Sequence, residues 1–397
     1  MSGRKKMSQD NPPISRRKFV RRCGIGACAL AWSAYSFPDL RGRKEQSSLR
    51  IGFPNDAPET LWKWSKEAEW YGKKGQLIHC TLCPHECLLA ENDRGFCRSR
   101  VVKDGKLQTL AYGNPCAIHL DPMEKKPLYH FLPGNQILSI ATGGCNLRCL
   151  NCQNWEMSQS RPEDLKNYDY MPGALVGGVA KRSIPAIAYT YSEPMVFYEY
   201  VYDTAEIAKQ QDIKNVLVTA GYINPKPLVR LCGVTDAANV DLKGFSDSFY
   251  RKVTGGRLAP VLDTLKIMQQ EGVWLEITRL VVPTWSDDFD DMRAMCDWLV
   301  ENLGPGVPLH ISRFHGDYKL KNLPPTPLAT MDRFYRIAKE AGLHYVYVGN
   351  VPGSRHQDTI CPSCQETVIK RKGYIIIENS LENGRCPCGE EIPGVWL

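Results

Sequence analysis

From Ile137 onward, short apolar runs rich in β-branched residues alternate with longer stretches in which apolar residues recur at helical spacing. The short runs predict strands over Gln136–Ala141, Ala186–Thr190, Asn215–Thr219, Asn239–Leu242, Trp274–Val282, Leu309–Phe314 and Tyr345–Val348. The intervening stretches predict helices over Pro194–Gln211, Pro225–Leu231, Ala259–Glu271, Asp288–Asn302 and Ala329–Ala341. Alternation of this kind builds a parallel sheet from βα units. Six or seven units are too few for a closed eight-stranded barrel. The expected fold is therefore α/β, an incomplete (β/α)6-type TIM barrel over residues 136–354, with small cysteine-rich appendages before and after it.

Outside that region the pattern is less regular. Residues 41–76 read as a polar linker with a short helix around Glu59–Tyr71. Within a cysteine-rich region at 77–135, Val101–Tyr112 alternates around Asp104-Gly105 and predicts a hairpin. Residues 115–135 read as loop; Lys125 and Lys126 there are either offered to a carboxylate of a substrate or cofactor, or simply solvated. Residues 355–397 form a separate cysteine-rich cap.

Charge changes this picture in one respect. The net charge of +7 is concentrated in residues 1–50, which carry 12 Lys/Arg against 3 Asp/Glu, so the remaining 347 residues sum to −2. The body therefore has no general electrostatic case for binding nucleic acid. The basic segment holds Arg16-Arg17 followed by Cys23–Phe37, fifteen residues without a charge. That run is too short to span a bilayer and fits the apolar region of a signal peptide. Residues 1–40 resemble a twin-arginine export leader, implying a periplasmic protein, or a membrane-associated one if the leader stays uncleaved; without export the protein is cytoplasmic.

Eleven of the sixteen cysteines fall into three groups. Close C-x2-C spacing favours metal over disulfides, because both sulfurs can face one ion or cluster. Cys80, Cys83, Cys87 and Cys97 suit a tetrahedral zinc or an iron–sulfur cluster, with His79 and His85 as spare ligands. Cys361, Cys364, Cys386 and Cys388 form two short hooks flanking a β-rich stretch, as in a zinc ribbon, although the second hook has only one residue between its cysteines. Cys145, Cys149 and Cys152 are different: three thiolates leave one iron of a 4Fe–4S cluster open to another ligand.

Barrel active sites gather where strands end. Cys145 follows the first predicted strand, Tyr191-Ser192-Glu193-Pro194 the second, and Ala220-Gly221-Tyr222 the third. Asp241 and Lys243 flank the end of the fourth, Arg279 lies within the fifth, and His310, Arg313 and His315 lie in or near the sixth. A barrel core would prefer Val, Ile or Leu at these places, so the set is informative.

The ordered series CTLCPHEC with GFCR, DPMEKKPLYHF, GGCNLRCLNCQNWEMS, YTYSEP, VTAGYINP, NVDLKGF, EITRLVVP, HISRFHGDYK, GNVPGSRHQDTICPSC and IPGVW resembles the radical S-adenosylmethionine (SAM) enzymes related to pyruvate formate-lyase activating enzyme. Within these it is most similar to the group named for the AmmeMemoRadiSam system. The resemblance implies that Cys145, Cys149 and Cys152 hold a 4Fe–4S cluster whose open iron is chelated by SAM. It implies that Tyr191, Ser192, Glu193 and Pro194 form the motif supporting the methionine amino group, with Glu193 accepting its N–H bonds. Asp241 and Lys243 match the D-x-K feature, with Lys243 available to the SAM carboxylate, and either His310 or His315 would stand by the cofactor. One departure stands out. The residue before the third cysteine is usually aromatic and is here Asn151, so either Trp155 takes over or the adenine is held differently.

The resemblance also implies a one-electron reductant of the flavodoxin or ferredoxin kind and hydrogen abstraction from a substrate. A glycine of a protein partner is the first expectation, and a small molecule or lipid the second. An iron–sulfur electron-transfer protein is the reading from another class, but it gives no reason for Glu193, Asp241 and Lys243. Radical chemistry needs a dry site, and both cysteine-rich ends are expected to close over the open barrel as a lid.

Overall fold

In the computed structural model, residues 53–396 are described; the twin-arginine-like leader lies outside them. An eight-stranded open sheet dominates. Its parallel strands are Gln136–Ala141, Ala186–Tyr189, Lys214–Thr219, Ala237–Asp241, Trp274–Val281, Leu309–Arg313 and Val346–Gly349, each pairing with the next. Seven parallel strands thus stand where six or seven were expected, and the barrel is open. The eighth strand, Ala117–Pro122, stands where the sequence pattern predicts loop. It pairs antiparallel with Gln136–Ala141 and closes one edge of the sheet. Its half-exposed sequence AIHLDP has a partner on one side only, where Pro and polar residues are tolerated.

The helices follow from local chemistry. The Asp288 carboxylate accepts the Asp291 N–H at 2.8 Å and starts Phe289–Leu303, and Gly304 at φ +86° ends it. Pro225 opens Pro225–Cys232, where its missing N–H costs nothing. Pro172–Ala180 is a helix that the sequence pattern does not predict, because its three glycines are poor helix formers; burial of Leu175, Val176 and Val179 overrides that propensity.

The stretch read as a polar linker is built into the fold. Phe53–Pro54 pairs with Asp93–Arg94, and Lys66–Glu67 pairs with Gln108 and Thr109, giving the two edges of a five-stranded antiparallel sheet. Instead of a helix over Glu59–Tyr71 there is one 3-10 turn, Glu59–Trp64. Leu61 packs there on Val101 and Leu110, and a continuous helix would break the pairing at Lys66. The predicted hairpin forms from Arg100–Lys103 and Lys106–Thr109, with both Asp104 and Gly105 at positive φ, as a type I′ turn requires. A third sheet, Tyr71–Lys74, Leu77–Cys80 and Leu88–Leu89, carries the first cysteines.

The floor of the barrel is closed from within. Met123, Leu128, Phe131 and Leu132 fill the space below Ile137, Ala186, Val216 and Ala237. Glu276, fully buried, holds this plug. It accepts the backbone N–H groups of Tyr129 (2.9 Å) and His130 (2.7 Å), His310 Nε2 (2.6 Å) and Trp274 Nε1 (3.2 Å). Burial alone would raise its pKa, but His310 and the backbone donors outweigh that and hold the carboxyl below the ordinary range. Because the folded pKa is depressed, this stability is present above the unfolded value and is lost as pH falls through the folded one. Glu276→Ala leaves at least two buried N–H groups unpaired, at about 1–3 kcal/mol each. A large drop in urea midpoint is expected, and Glu276→Gln should flatten the acid arm of the stability profile.

Candidate active site

The Cys145–Cys152 loop leaves the top of the Gln136–Ala141 strand through Gly143 and Gly144. Gly144 has φ +104°, and a Cβ there would lie 2.5 Å from the Cys97 carbonyl oxygen, so only glycine fits. Beyond it the loop is pinned by backbone bonds from Arg148 N to Thr254 O (2.7 Å), Leu150 N to Val253 O (3.0 Å) and Lys319 N to Leu150 O (3.0 Å). The Leu147 N–H donates to Cys145 Sγ at 3.3 Å, and Ser158 Oγ lies 3.2 Å from Cys152 Sγ. Burial pushes the Cys149 thiol up to about 12, and burial with the nearby Glu193 carboxylate raises that of Cys145 well above its ordinary value. A coordinating metal removes such protons outright.

Glu193 is buried at the end of the next strand and is fixed by three donors. Thr219 Oγ1 (2.5 Å) and the Met195 N–H (3.4 Å) reach Oε1, and the Ala220 N–H (2.8 Å) reaches Oε2. Burial raises its pKa against these bonds. Thr219 and Ala220 were not singled out for this role, although both lie in the VTAGYINP motif at a strand end. Beside Glu193, the buried Ser192 Oγ has no hydrogen-bond partner, nor does Asn146 Oδ1, next to Cys145. Pro194 is the buried first residue of a 3-10 turn. The Tyr191 carbonyl accepts from Asn154 Nδ2 at 2.9 Å, joining this motif to the exit of the cysteine loop.

The Tyr191 ring turns elsewhere: its hydroxyl bonds Asp121, and the Lys126 ammonium lies 4.3 Å above it. Lys126 is buried and bonded to Asp121 at 2.5 Å, with Lys125 at 2.7 Å on the other oxygen. Lys126 is therefore neither solvated nor free for a ligand, whereas Lys125 is exposed to solvent while paired with Asp121. Lys243 Nζ bonds Asp241 Oδ2 at 2.7 Å, both half-buried at the end of their strand. Burial would lower the Lys243 pKa, but Asp241 and the Cys149 sulfur raise it, so the group stays an ammonium.

His310 faces the barrel interior, stacked on Tyr347 (5.1 Å) and engaged by Glu276. His315 is exposed beyond the strand end. Arg279 does not face the site. It is fully buried and bonds Asp291 of the helix behind the sheet at 2.6 Å, because its register places it on the outer face with Ile311. Trp155 is stacked on Tyr318 at 5.2 Å.

A family model described as the radical SAM superfamily matches residues 139–299. An uncharacterised protein of Methanocaldococcus jannaschii is 44% identical over 333 residues, covering 82% of this chain and 98% of that one. The pyruvate formate-lyase 1-activating enzyme of Escherichia coli K12 is 27% identical over 50% of this chain and 87% of its own. This chain belongs to the radical SAM superfamily. Its relatives make it similar to pyruvate formate-lyase activating enzymes. Among solved structures, Streptococcus suis SuiB bound to S-adenosylmethionine has 11% identity and a TM-score of 0.44, over 55% of this chain and 51% of that one.

Radical SAM membership implies a 4Fe–4S cluster and SAM. The residues present fit both groups: three thiols on one pinned loop, an oriented carboxylate at Glu193, a half-buried ammonium at Lys243, and unpartnered polar atoms at Ser192 and Asn146.

The three-cysteine loop is at the top of the barrel; the C-terminal cysteines are not. Cys361 and Cys386 share an apolar cluster with Tyr129, Tyr345 and Tyr347. The tail is tied to the plug by the Val395 N–H to the His130 carbonyl (2.7 Å) and the Leu132 N–H to the Val395 carbonyl (2.8 Å). These contacts lie at the floor, so the expected C-terminal lid is a base instead. The reason is local: the last strand begins at Val346 on the floor side, and Tyr345 and His130 offer the apolar surface there.

Among the described residues, the four C-terminal cysteines are the only group of three or more His, Cys, Asp or Glu whose ligand atoms all lie within 4.8 Å of one another. The Sγ separations are 3.7 Å for Cys361 and Cys388 and 3.6 Å for Cys364 and Cys386. A tetrahedral ion at the zinc–sulfur distance demands separations of about 3.8 Å.

Proposed function

We propose that the chain is a radical SAM enzyme that abstracts a hydrogen from a glycine of a protein partner. The observation that carries the SAM reading is the fixing of Glu193, through Thr219 and Ala220, beside the three-cysteine loop and the Asp241–Lys243 pair. When bound, the cluster and SAM would supply one-electron reductive cleavage of SAM and hydrogen-atom abstraction from substrate.

The chain's own residues do the positioning. Cys145, Cys149 and Cys152 would hold the iron. Glu193, already satisfied on one side by Thr219 and Ala220, presents its remaining lone pairs to the methionine ammonium. Lys243, its ammonium bonded to Asp241, would meet the SAM carboxylate. Ser192 Oγ and Asn146 Oδ1 are polar atoms for which a bound SAM supplies partners.

The reductant is a flavodoxin- or ferredoxin-like protein. Similarity to activating enzymes favours the protein glycine over a small molecule or lipid. The leader sends the folded protein out by the twin-arginine route, where it is periplasmic or stays at the membrane by an uncleaved leader; fractionation of a tagged chain with Arg16-Arg17→Lys-Lys as control tests this.

After anaerobic reconstitution with iron and sulfide, dithionite and SAM should release 5′-deoxyadenosine and methionine in equal amounts. Well-loaded protein that releases neither would overturn the reading. We assign zinc to the C-terminal cysteines. Chelation should release about one zinc per chain and lower the melting temperature without lowering the iron content.

A further inference from the structure

The two four-cysteine sets have different geometries. At the C-terminal site the sulfurs have collapsed to the spacing of one tetrahedral ion. Cys80, Cys83, Cys87 and Cys97 line one cavity, yet among the described residues no three of their sulfurs lie mutually within 4.8 Å. They are not gathered to the spacing of a single tetrahedral ion as the C-terminal sulfurs are. A cubane cluster interposes four irons and four sulfides between its thiolates and needs them spread around a cavity. The Cys145, Cys149 and Cys152 sulfurs, which serve a cubane in this family, are likewise not gathered within that limit.

The walls agree with a redox centre. Leu82, Leu89, Phe96 and Val196 make the cavity dry, and the buried Arg100, ion-paired with Glu199, points an N–H donor at Cys80 Sγ 4.0 Å away. Position adds a second, independent observation. Asn146, adjacent to Cys145, lines the same cavity. His85 Nε2 lies 2.7 Å from the Asn146 carbonyl, the Phe96 carbonyl accepts from Arg148, and the Cys97 carbonyl is pressed on Gly144. Residues next to one set of cysteines thus touch residues next to the other.

We propose that Cys80, Cys83, Cys87 and Cys97 hold a second 4Fe–4S cluster, not zinc, and that it passes electrons to the cluster on the Cys145–Cys152 loop. The relay rests on the function proposed above; the identity of the metal does not. The step moves one electron and no atoms: the outer cluster is oxidised as the inner one is reduced, and a flavodoxin-like donor restores the outer.

The test uses the full chain, reconstituted anaerobically. About eight irons and eight sulfides per chain are expected, with one zinc; about four irons with two zincs would overturn the cluster. On reduction, two electron-paramagnetic-resonance signals should appear, and SAM should shift only one. A single signal, wholly shifted, overturns it too, and both measurements need only the wild type. Cys83→Ala with Cys87→Ala should lose half the iron and keep the SAM-shifted signal. Reduction of that signal by reduced flavodoxin should slow by an order of magnitude, while reduction by dithionite should not; equal rates with flavodoxin sink the relay. Eight irons with no 5′-deoxyadenosine would reject the proposed function while leaving the second cluster standing.

Discussion

A chain ending at residue 354 is expected not to fold, rather than to fold as an open enzyme that wastes SAM. Truncation removes Cys361, Val368, Ile369, Cys386 and Ile392 and uncovers Tyr129, Tyr345 and Tyr347. Each large buried apolar side chain is worth about 2 kcal/mol, so the apolar loss alone approaches the 5–15 kcal/mol by which a typical protein is stable. The polar loss falls at the same place. Burial lowers the pKa of His130 to about 4, so the ring is neutral; Nδ1 donates to the Pro393 carbonyl and Nε2 accepts from the Tyr347 hydroxyl. The same hydroxyl meets Thr359, and Arg371 donates to the Tyr129 carbonyl at 2.9 Å. Cutting at 354 orphans these buried groups together. Circular dichroism and gel filtration of the truncated chain check this; a compact, cooperatively melting product would show that the cap is dispensable. Cys364→Ser is the milder case, and it should lower the melting temperature while leaving SAM chemistry intact.

The parallel strands were legible because burial on both faces leaves continuous apolar runs, as in Ala186–Tyr189, where every residue is buried. The strand-end residues stood out because a barrel interior has no other use for a carboxylate or lysine there. What could not be read was which way a side chain turns. Arg279 and His310 lie on neighbouring strands, but a period of two sends Arg279 to the outer helix layer and His310 inward to Glu276. Nothing local in the sequence announces that Glu276 gathers donors from a loop nearly 150 positions away. The half-exposed edge strand Ala117–Pro122 reads as loop, and the segment from Phe53 to Lys74 as a linker with a short helix, for a related reason. Their order comes from pairing partners distant in sequence, not from their own composition. The spread of the cysteine sulfurs, which separates a cubane from a zinc ion, is likewise a property of the fold and not of C-x2-C spacing.

Cys149→Ala is expected to abolish 5′-deoxyadenosine release, with no measurable residue. Two thiolates cannot retain a cubane that already has only three, so the variant should lose iron from this loop rather than merely react slowly. Glu193→Ala makes a graded contrast. It leaves the cysteine loop whole but removes the acceptor held by Thr219 Oγ1 at 2.5 Å and the Ala220 N–H at 2.8 Å. A charge-assisted hydrogen bond is worth about 1.5–3 kcal/mol, so kcat/KM for SAM should fall roughly 10- to 150-fold for each bond lost to the ammonium. Thr219→Val keeps the carboxylate and loses only one of its supports, so its effect should be smaller and fall on KM more than on kcat. The expected order is therefore Cys149→Ala, then Glu193→Ala, then Thr219→Val, with iron content falling only in the first. If Glu193→Ala bound SAM with undiminished affinity, the carboxylate would be a structural clamp for the Thr219 strand end and not a cofactor ligand. The unpartnered Ser192 Oγ beside it would then need another explanation.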